Sequence, residues 1–358
     1  MEYGAIDLHK KESQVRIITE SGEVIDRRIP TTRDRLTALF WGRPRARLLV
    51  EASTESEWVA QHLETLGHEV IVADPNFGLM YGHRSRRVKT DRRDVAALAE
   101  ACRHGIYRQA HRRSTRQRTV QWHLNIRREL VATRTRAISV VRAITRGAGY
   151  RIPGGTTETF LRRVAVLNLP ASLLESFSPA QAVLKVIDEQ LIQADAHFAA
   201  LVADDPVVKR LTSCPSIGPI TATAFVAALD DVQRFNGRRG AGQVASYLGL
   251  VPREYSSGEQ QQRGRVMRSA HPYVQALLVQ AAWRVCRSRD PRTSALRTWA
   301  RAIEHRRGKK IAIVALARRL ARILYAMWRD EVDYQPARIR PHQAGTPALK
   351  AATHSSAA

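Results

Sequence analysis

The chain has 358 residues, with 58 lysines and arginines against 33 acids, a formal net charge of +25 and a sequence pI of about 11.1. That balance draws a protein to polyphosphate with salt-sensitive binding, while 44% apolar residues supply cores that a coreless basic tail lacks. No stretch of 18 apolar residues and no apolar N-terminal signal region occur, so a soluble, cytoplasmic protein with no membrane partner is expected, and the widely spaced Cys102, Cys214 and Cys286 fit reduced thiols.

Tyr3-Gly4-Ala5-Ile6-Asp7 reads as a short apolar strand with an acid at its tip. An alternating stretch from Gln14 to Thr19, a turn at Ser21-Gly22 and a third strand from Glu23 to Ile29 follow. A helix through Leu36-Thr37-Ala38-Leu39-Phe40 leads to a second acid-tipped strand, Arg47 to Glu51. A helix from Glu57 to Leu66 closes at Gly67, and a strand spans Glu69 to Ala73. A helix then begins around Lys89-Thr90-Asp91, putting Asp91 and Asp94 on one face. Three meandering strands followed by alternating helices and strands predict an α/β sheet of the ribonuclease H type, in which the first strand, the fourth strand and the last helix converge on one edge.

Taken singly, Asp91 or Asp94 serves the free amides of a helix start, and Asp7 is an ordinary turn residue. Taken together, Asp7, Glu51, Asp91 and Asp94 pose an electrostatic problem. Two carboxylates ~4 Å apart repel by roughly 4 kcal/mol at an effective dielectric of ~20, so all four stay ionised only with a counter-ion. A pair of Mg²⁺ ions, with Mn²⁺ as a substitute, would supply it and would clamp the attacking and leaving oxygens of a phosphodiester. No His/Cys cluster competes for the role; His9 and His68 read as polar surface residues.

Residues 111–147 carry ten arginines against a single acid, Glu129. Leu124, Val131 and Ile138, backed by Leu130, Ala137 and Ile144, form an apolar stripe on an otherwise cationic helix. Part of such a helix is a solvated face, but arginine in excess over lysine, with Trp122 and His123 interleaved, favours phosphate contact. Arg112, Arg113, Arg116, Arg127, Arg128 and Arg134 are the candidates. Breaks follow at Gly147-Ala148-Gly149 and Pro153-Gly154-Gly155. The next long helix is predicted to open at Ser178-Pro179 and carries Leu184, Ile187, Leu191, Ala194, Phe198 and Leu201 in the spacing of a coiled-coil seam. Its partner is either the arginine-rich helix or another subunit.

Pro215-Ser216-Ile217-Gly218-Pro219-Ile220-Thr221-Ala222 resembles a helix-hairpin-helix turn, which offers backbone amides to a phosphate, with Ser216 where its first glycine is expected. Beyond it, Ser256-Ser257-Gly258 sits in a loop, where serine beside glycine is ordinarily a turn residue. Gly218 of the turn, Arg263 and Arg265 after the serine loop, and Arg318 are further candidate phosphate contacts. A last helix from Lys310 to Trp328 is expected to bury Ile311, Ala315, Leu316, Leu320, Ile323 and Met327 and to leave Arg318, Arg319 and Arg322 outside. After Pro336 the composition predicts disorder. The resulting division is 1–110 for the sheet, 111–202 for the helical region, 203–334 for a mainly helical C-terminal domain and 335–358 for the tail.

Over roughly residues 3 to 336 the chain resembles the insertion-sequence transposases that join an N-terminal RuvC-like domain with a D-E-D-D tetrad to a C-terminal domain bearing a serine, a family of RNA-guided DNA recombinases. The resemblance rests on Ala5-Ile6-Asp7, Val50-Glu51-Ala52, Lys89 to Ala96, the Pro215 to Thr221 turn, Arg234-Phe235, the Ser246 to Pro252 run with Ser256-Ser257-Gly258, and Gly308-Lys309-Lys310 before Ala315 to Leu320. It implies that Asp7, Glu51, Asp91 and Asp94 hold Mg²⁺ and that Ser257 attacks DNA to form a phosphoserine link. It also implies donor and target DNA as substrates, a structured noncoding guide RNA as partner, a homo-oligomer (dimer or tetramer) whose active site draws on different subunits, and a nucleoid-associated setting in a prokaryote. Ser256 stands as a second candidate nucleophile. The chain departs from the family at Arg268-Ser269-Ala270-His271, where a Lys-Gly-Asn run is usual, and at Gln275, where arginine is common. The rival readings are a metal-dependent Holliday-junction-type endonuclease, in which the serine is a spectator, and a basic RNA-binding protein with a decayed catalytic fold.

Overall fold

The protein is described by a computed structural model covering residues 1–82, 90–257, 260–266 and 271–336. β1 (Glu2–Leu8), β2 (Glu12–Ile18) and β3 (Val24–Pro30) form an antiparallel meander with Asp7 opposite Gln14 and Arg16 opposite Asp26. After α1 (Arg33–Phe40), β4 (Ala46–Glu51) pairs parallel to β1, and after α2 (Ser56–Thr65), β5 (Glu69–Ala73) pairs parallel to β4. The strand order β3-β2-β1-β4-β5 is compatible with the expected ribonuclease H type. One sheet face packs Ile6, Val15, Ile17, Leu48 and Val50 against Leu36, Phe40, Val59 and Leu63. The other packs Ala5, Leu49 and Ile71 against Val95, Leu98 and Cys102 of α3 (Asp91–His104). Burial on both faces is why β1 and β4 read as nearly unbroken apolar runs.

His68 is not the surface residue expected. It is 5% exposed, lies edge-on to Phe40 with ring centroids 5.4 Å apart, accepts at Nδ1 from the Ala46 amide at 3.2 Å, and has Nε2 3.1 Å from the Phe40 carbonyl. The ring thus pairs the buried Ala46 amide at the start of β4 and gives the Phe40 carbonyl, which also accepts from the Arg43 amide at 3.3 Å, a second partner at the end of α1.

The chain divides into two compact units, residues 1–113 and 114–358. In the second, α4 (Thr115–Gly147) and α6 (Ala171–Val202) run antiparallel, answering which partner the apolar seam takes: it is the arginine-rich helix of the same chain. Val120 and Leu124 share a core with Phe198 and Val202, Arg127 and Arg134 meet Asp195 and Asp188, and Ile138 and Val141 share a second core with Phe177 and Leu184. The first of these cores also takes in buried residues from Val208 to Tyr334, so the helical region and the C-terminal part are packed as one unit.

Two details of this hairpin differ from expectation. α6 opens at Ala171, so Pro179 lies inside it rather than at its first turn. Proline removes an intrahelical bond and crowds the carbonyl four residues back, but Phe177 and Leu184, each 1% exposed, are seated with Phe160 and Val164 of α5 (Phe160–Ala165), and that burial holds the helix through the proline. Ile144 is 44% exposed; Val141 and Thr145 are buried instead. A strict seven-residue repeat drifts on a straight helix by about 20° per heptad, and the buried stripe follows the 3.6-residue period.

After α7 (Pro206–Thr212), the C-terminal part is built round α8 (Pro219–Leu229), in which every residue from Thr221 to Leu229 is buried. A helix apolar all round belongs at a core centre, and α4, α7 and α10 (Pro272–Arg287) pack on it. α9 (Gly240–Tyr247), α11 (Ser294–Arg307) and α12 (Lys309–Arg329) surround this centre. In α12 the buried stripe runs through Ile313, Leu316, Leu320, Leu324 and Met327, and Ile311, expected inside, is 54% exposed. Between α9 and α10 lies an unanticipated antiparallel hairpin, β6 (Pro252–Ser257) and β7 (Gln260–Val266), whose glutamine-rich second strand offers no alternating apolar signal. Tyr334 closes the second unit, its amide donating to Ser213 Oγ at 2.9 Å and its hydroxyl to the Arg292 carbonyl at 3.1 Å. The tail expected to be disordered falls on residues that, from 337 onward, lie outside those described. No described helix is long and apolar enough to cross a membrane.

The turn between α7 and α8 contains Ser216 at φ 69°, in the left-handed region where a side chain is strained. This is the position at which the sequence pattern leads one to expect glycine. Ser216→Gly should therefore raise stability by roughly 0.5–1 kcal/mol, relief of strain outweighing added chain entropy. A thermal melt showing a lower midpoint for Ser216→Gly would contradict this.

Candidate active site

Strand periodicity places two acids on one face. Asp7 follows Ala5 by two residues on β1, and Glu51 follows Leu49 by two on β4; Ala5 and Leu49 both belong to the face covered by α3. The two strands are parallel neighbours with Ile6 opposite Val50, so Asp7 and Glu51 stand at the same end of the sheet. α3 starts at that face. Its N-cap is Thr90, whose hydroxyl accepts from the Arg93 amide, which sets Asp91 and Asp94 in the first turn. Asp94 is 7% exposed and Asp7 9%, while the Asp91 side chain is 61% exposed.

Asp7, Asp91 and a residue not foreseen as part of the site, His9, form the gathered cluster. His9 Nε2 lies 3.6 Å from Asp7 Oδ2 and 3.7 Å from Asp91 Oδ1, and the three potential ligand atoms are all within 4.8 Å of one another. His9 is two residues beyond Asp7 and so falls on the same side of the strand direction, the one sequence signal that could have found it. Two carboxylates and an imidazole fit a divalent cation: carboxylate oxygen suits hard ions and imidazole widens the choice toward Mn²⁺ and other borderline metals. The cation would also neutralise acids that otherwise repel at this spacing. Glu51 and Asp94 share the sheet end and the helix turn with this cluster.

A clamp fixes the α3 turn. Arg92 Nε donates to Asp26 Oδ2 at 3.2 Å, and Asp26, opposite on β3, is gripped by Arg16 through bonds of 2.7 and 2.6 Å. The Arg16 fork holds the Asp26 carboxyl below its usual range, outweighing the upward push of burial, with Arg92 assisting.

The arginines expected on phosphate are largely engaged within the protein. In the first unit, Arg112 grips Glu57 through two bonds of 3.1 Å and Glu64 through one of 3.0 Å and a shorter one, and Arg113 is partly buried. In the second, Arg116 bonds Asp205 at 3.0 Å, Arg127 grips Asp195, and Arg134 reaches Asp188 at 3.0 Å and Glu158 at 3.3 Å. Arg128 lies 5.7 Å from the Tyr273 ring and 3.4 Å from Glu129. Gly218 is the N-cap of α8 with no side-chain bond to the first-turn amides. Arg318 is half-buried rather than outside the stripe, and Arg319 stacks 4.6 Å from Trp299. Arg263 and Arg265 lie on β7, with side chains outside those described.

Ser257 ends β6 opposite Gln260, and Ser256 lies opposite Gln261; both belong to a strand and not to the loop expected, and their side chains lie outside those described, as does Gly258. The departure at Gln275 has a local role: its Nε2 donates to the Gly249 carbonyl at 2.7 Å, tying α10 to the chain entering β6. His271 packs its ring 4.5 Å from Tyr247; Arg268, Ser269 and Ala270 lie outside the described residues.

Two family profiles match the chain. One described as Transposase IS116/IS110/IS902 family covers residues 208–297, and a transposase profile for the IS110-type DEDD domain covers residues 5–148. A probable family 20 transposase of Pseudomonas aeruginosa is 30% identical over 337 residues, 92% of this chain and 98% of that one. The transposase for insertion sequence element IS1111A of Coxiella burnetii is 28% identical over 69% of this chain and 68% of its own. The transposase for IS1328 of Yersinia enterocolitica is 25% identical over 90% and 95%.

The clamp generates a pH prediction. Because the folded-state pKa of Asp26 is lowered from 3.8, its stabilising contribution is present above that value and is lost as pH falls through the folded pKa. Asp26→Asn should destabilise the fold by about 1.5–3 kcal/mol at neutral pH, the range for a charged hydrogen bond, and the gap from wild type should shrink in strong acid. Urea unfolding at both pH values reads it; an equal gap at both would sink the assignment.

Proposed function

The chain belongs to the IS116/IS110/IS902 transposase family of DNA-recombining enzymes, and from that premise we propose that it cuts and rejoins donor and target DNA with an acidic metal centre and a serine nucleophile, under the direction of a structured noncoding RNA. The observation that carries the reading is the gathering of Asp7, His9 and Asp91 within 4.8 Å at the end of β1, inside the stretch matching a DEDD transposase domain.

In this reading Asp7, Glu51, Asp91 and Asp94 are the metal-holding acids, with His9 beside them. Bound there, Mg²⁺ or Mn²⁺ would supply positive charge to the oxygens of the scissile phosphodiester. Asp7, shielded from solvent, and Asp91, at the rim, present carboxylate oxygens from a strand end and a helix start. Both are rigid elements, so the acids stay in place without a bound ion to order them. The Arg92–Asp26–Arg16 clamp holds the helix start in register with the sheet. Ser257 is the nucleophile: its hydroxyl loses a proton, its oxygen bonds to phosphorus, and the departing strand oxygen takes up a proton. Phosphodiester energy is kept in the phosphoserine link, so rejoining requires no external energy source. Gly218 and the uncapped start of α8 favour a backbone phosphate, and Gln275 steadies the approach to the serine strand. Domains bounded at 1–110, 111–202 and 203–334 and an oligomer of two or four subunits complete the proposal.

Purified protein with Mg²⁺, RNA transcribed from the flanking noncoding region of its element, and labelled donor and target duplexes should give a covalent protein–DNA adduct on a denaturing gel. Ser257→Ala should abolish the adduct while Ser256→Ala retains it, and Asp7→Asn should reduce both adduct and cleavage by at least a hundredfold, the scale of losing charge stabilisation at a reacting phosphate. Cleavage with free ends and no adduct in the wild type would instead assign a metal-dependent junction nuclease.

A further inference from the structure

α10, α11 and α12 meet at a pocket of about 110 Å³, larger than a single water requires. Trp283 and Arg287 come from α10, Arg297, Arg301 and Glu304 from α11, and Lys309 from the start of α12. Four cations thus face one carboxylate. Arg297 is used structurally: it donates to the Thr293 hydroxyl at 3.2 Å and to the Ser288 carbonyl, fastening the wall. Arg287, Arg301 and Lys309 are exposed, and among the described residues none of them has an acid within 4.0 Å.

Trp283 explains why two of these cations stay together. The Arg287 guanidinium and the Lys309 ammonium each lie 5.4 Å from its ring, so the π face holds like charges that would otherwise separate. The helix start adds to the imbalance. Gly308 caps α12 without a side-chain bond, and Lys309 and Lys310 occupy its first turn, where the helix dipole disfavours cations. Cation repulsion and exposed first-turn amides are relieved by the same event, arrival of an anion.

We propose that this pocket binds a phosphodiester group of a nucleic acid strand, with Arg287 and Lys309 as the contacts, Trp283 as the residue that positions them, and Arg301 as a flanking cation. Glu304 on the same wall disfavours a second phosphate, so one group is expected. The proposal rests on the reading of the chain as a DNA-acting transposase and adds a contact point outside the tetrad, the serine hairpin and the arginine-rich helix. The chemistry is shared by DNA and guide RNA, and the test separates them.

Full-length protein without divalent metal is titrated against a labelled random-sequence DNA duplex and a labelled RNA hairpin over a range of salt. The double variant Arg287→Gln, Lys309→Gln is compared with Arg103→Gln, Lys209→Gln, which removes equal charge from residues lying 4.0 Å from Glu100 and 3.7 Å from Asp204. The pocket variant should bind about tenfold more weakly, with a salt slope lower by about 0.9 on duplex or 0.7 on single-stranded regions, the value for one phosphate. Arg301→Gln alone should weaken binding in the same direction, and melting midpoints should match wild type. A loss confined to DNA assigns the site to a DNA strand, and one confined to RNA assigns it to the guide. Unchanged affinity and slope on both ligands, or an equal loss in the control pair, overturns the pocket. Wild type that binds neither ligand counts against the nucleic-acid reading as a whole.

Discussion

Carboxylates drawn together at one end of a sheet repel, and the N-terminal unit is arranged to hold them there against that repulsion. β1 and β4 supply Asp7 and Glu51 from central, doubly covered strands, where sliding would break both cores at once. α3 supplies Asp91 and Asp94 from a capped first turn, and Arg92 ties that turn to Asp26 and so to the strands on the far side of β1. Each acid rides on an element that hydrophobic packing has already fixed. A divalent cation bound there would draw its affinity from the charge itself, because little conformational freedom would remain to be lost on binding.

The basic character of the chain is distributed unevenly. Arg112, Arg116, Arg127 and Arg134 are paired with carboxylates, and a guanidinium so engaged is partly neutralised before any phosphate approaches. Those pairs act as fastenings: Arg112 binds the end of the first unit to α2, and Arg127 and Arg134 bind α4 to α6. Attraction for polyanions would then fall more heavily on cations that have no acid within 4.0 Å among the described residues, of which Arg287, Arg301 and Lys309 are examples.

What could be read from the sequence were features with a period. Acid-tipped apolar strands, the meander and the start of α3 all declare themselves through spacing, and Asp7, Glu51, Asp91 and Asp94 stand out from them as candidates. The misreadings share a cause, which is that tertiary partners decide what local pattern leaves open. His68 is polar, but two buried backbone groups recruit it. Pro179 reads as a helix start until Phe177 and Leu184 are seated in a shared core. Ile144 and Ile311 lie on stripes drawn by a seven-residue repeat or from a helix start, and the real buried faces are set by what packs opposite. His9 reads as a polar surface residue until Asp7 and Asp91 are brought beside it, and the β6–β7 hairpin escapes notice because a polar strand has no alternating apolar signal.

The α4–α6 pair has one further property. Along it, Arg127 meets Asp195 and Arg134 meets Asp188, and these ion pairs are flanked by two shared apolar cores, Val120 and Leu124 with Phe198 and Val202 on one side and Ile138 and Val141 with Phe177 and Leu184 on the other. A slip by one helical turn would unseat both cores and part both ion pairs simultaneously, so intermediate alignments have no foothold. With 33 residues in α4, the pair is a strut roughly 50 Å long. A strut of fixed length and single alignment works as a gauge: whatever is attached at the 147–160 end is kept at a set separation from the α7–α8 turn at the other.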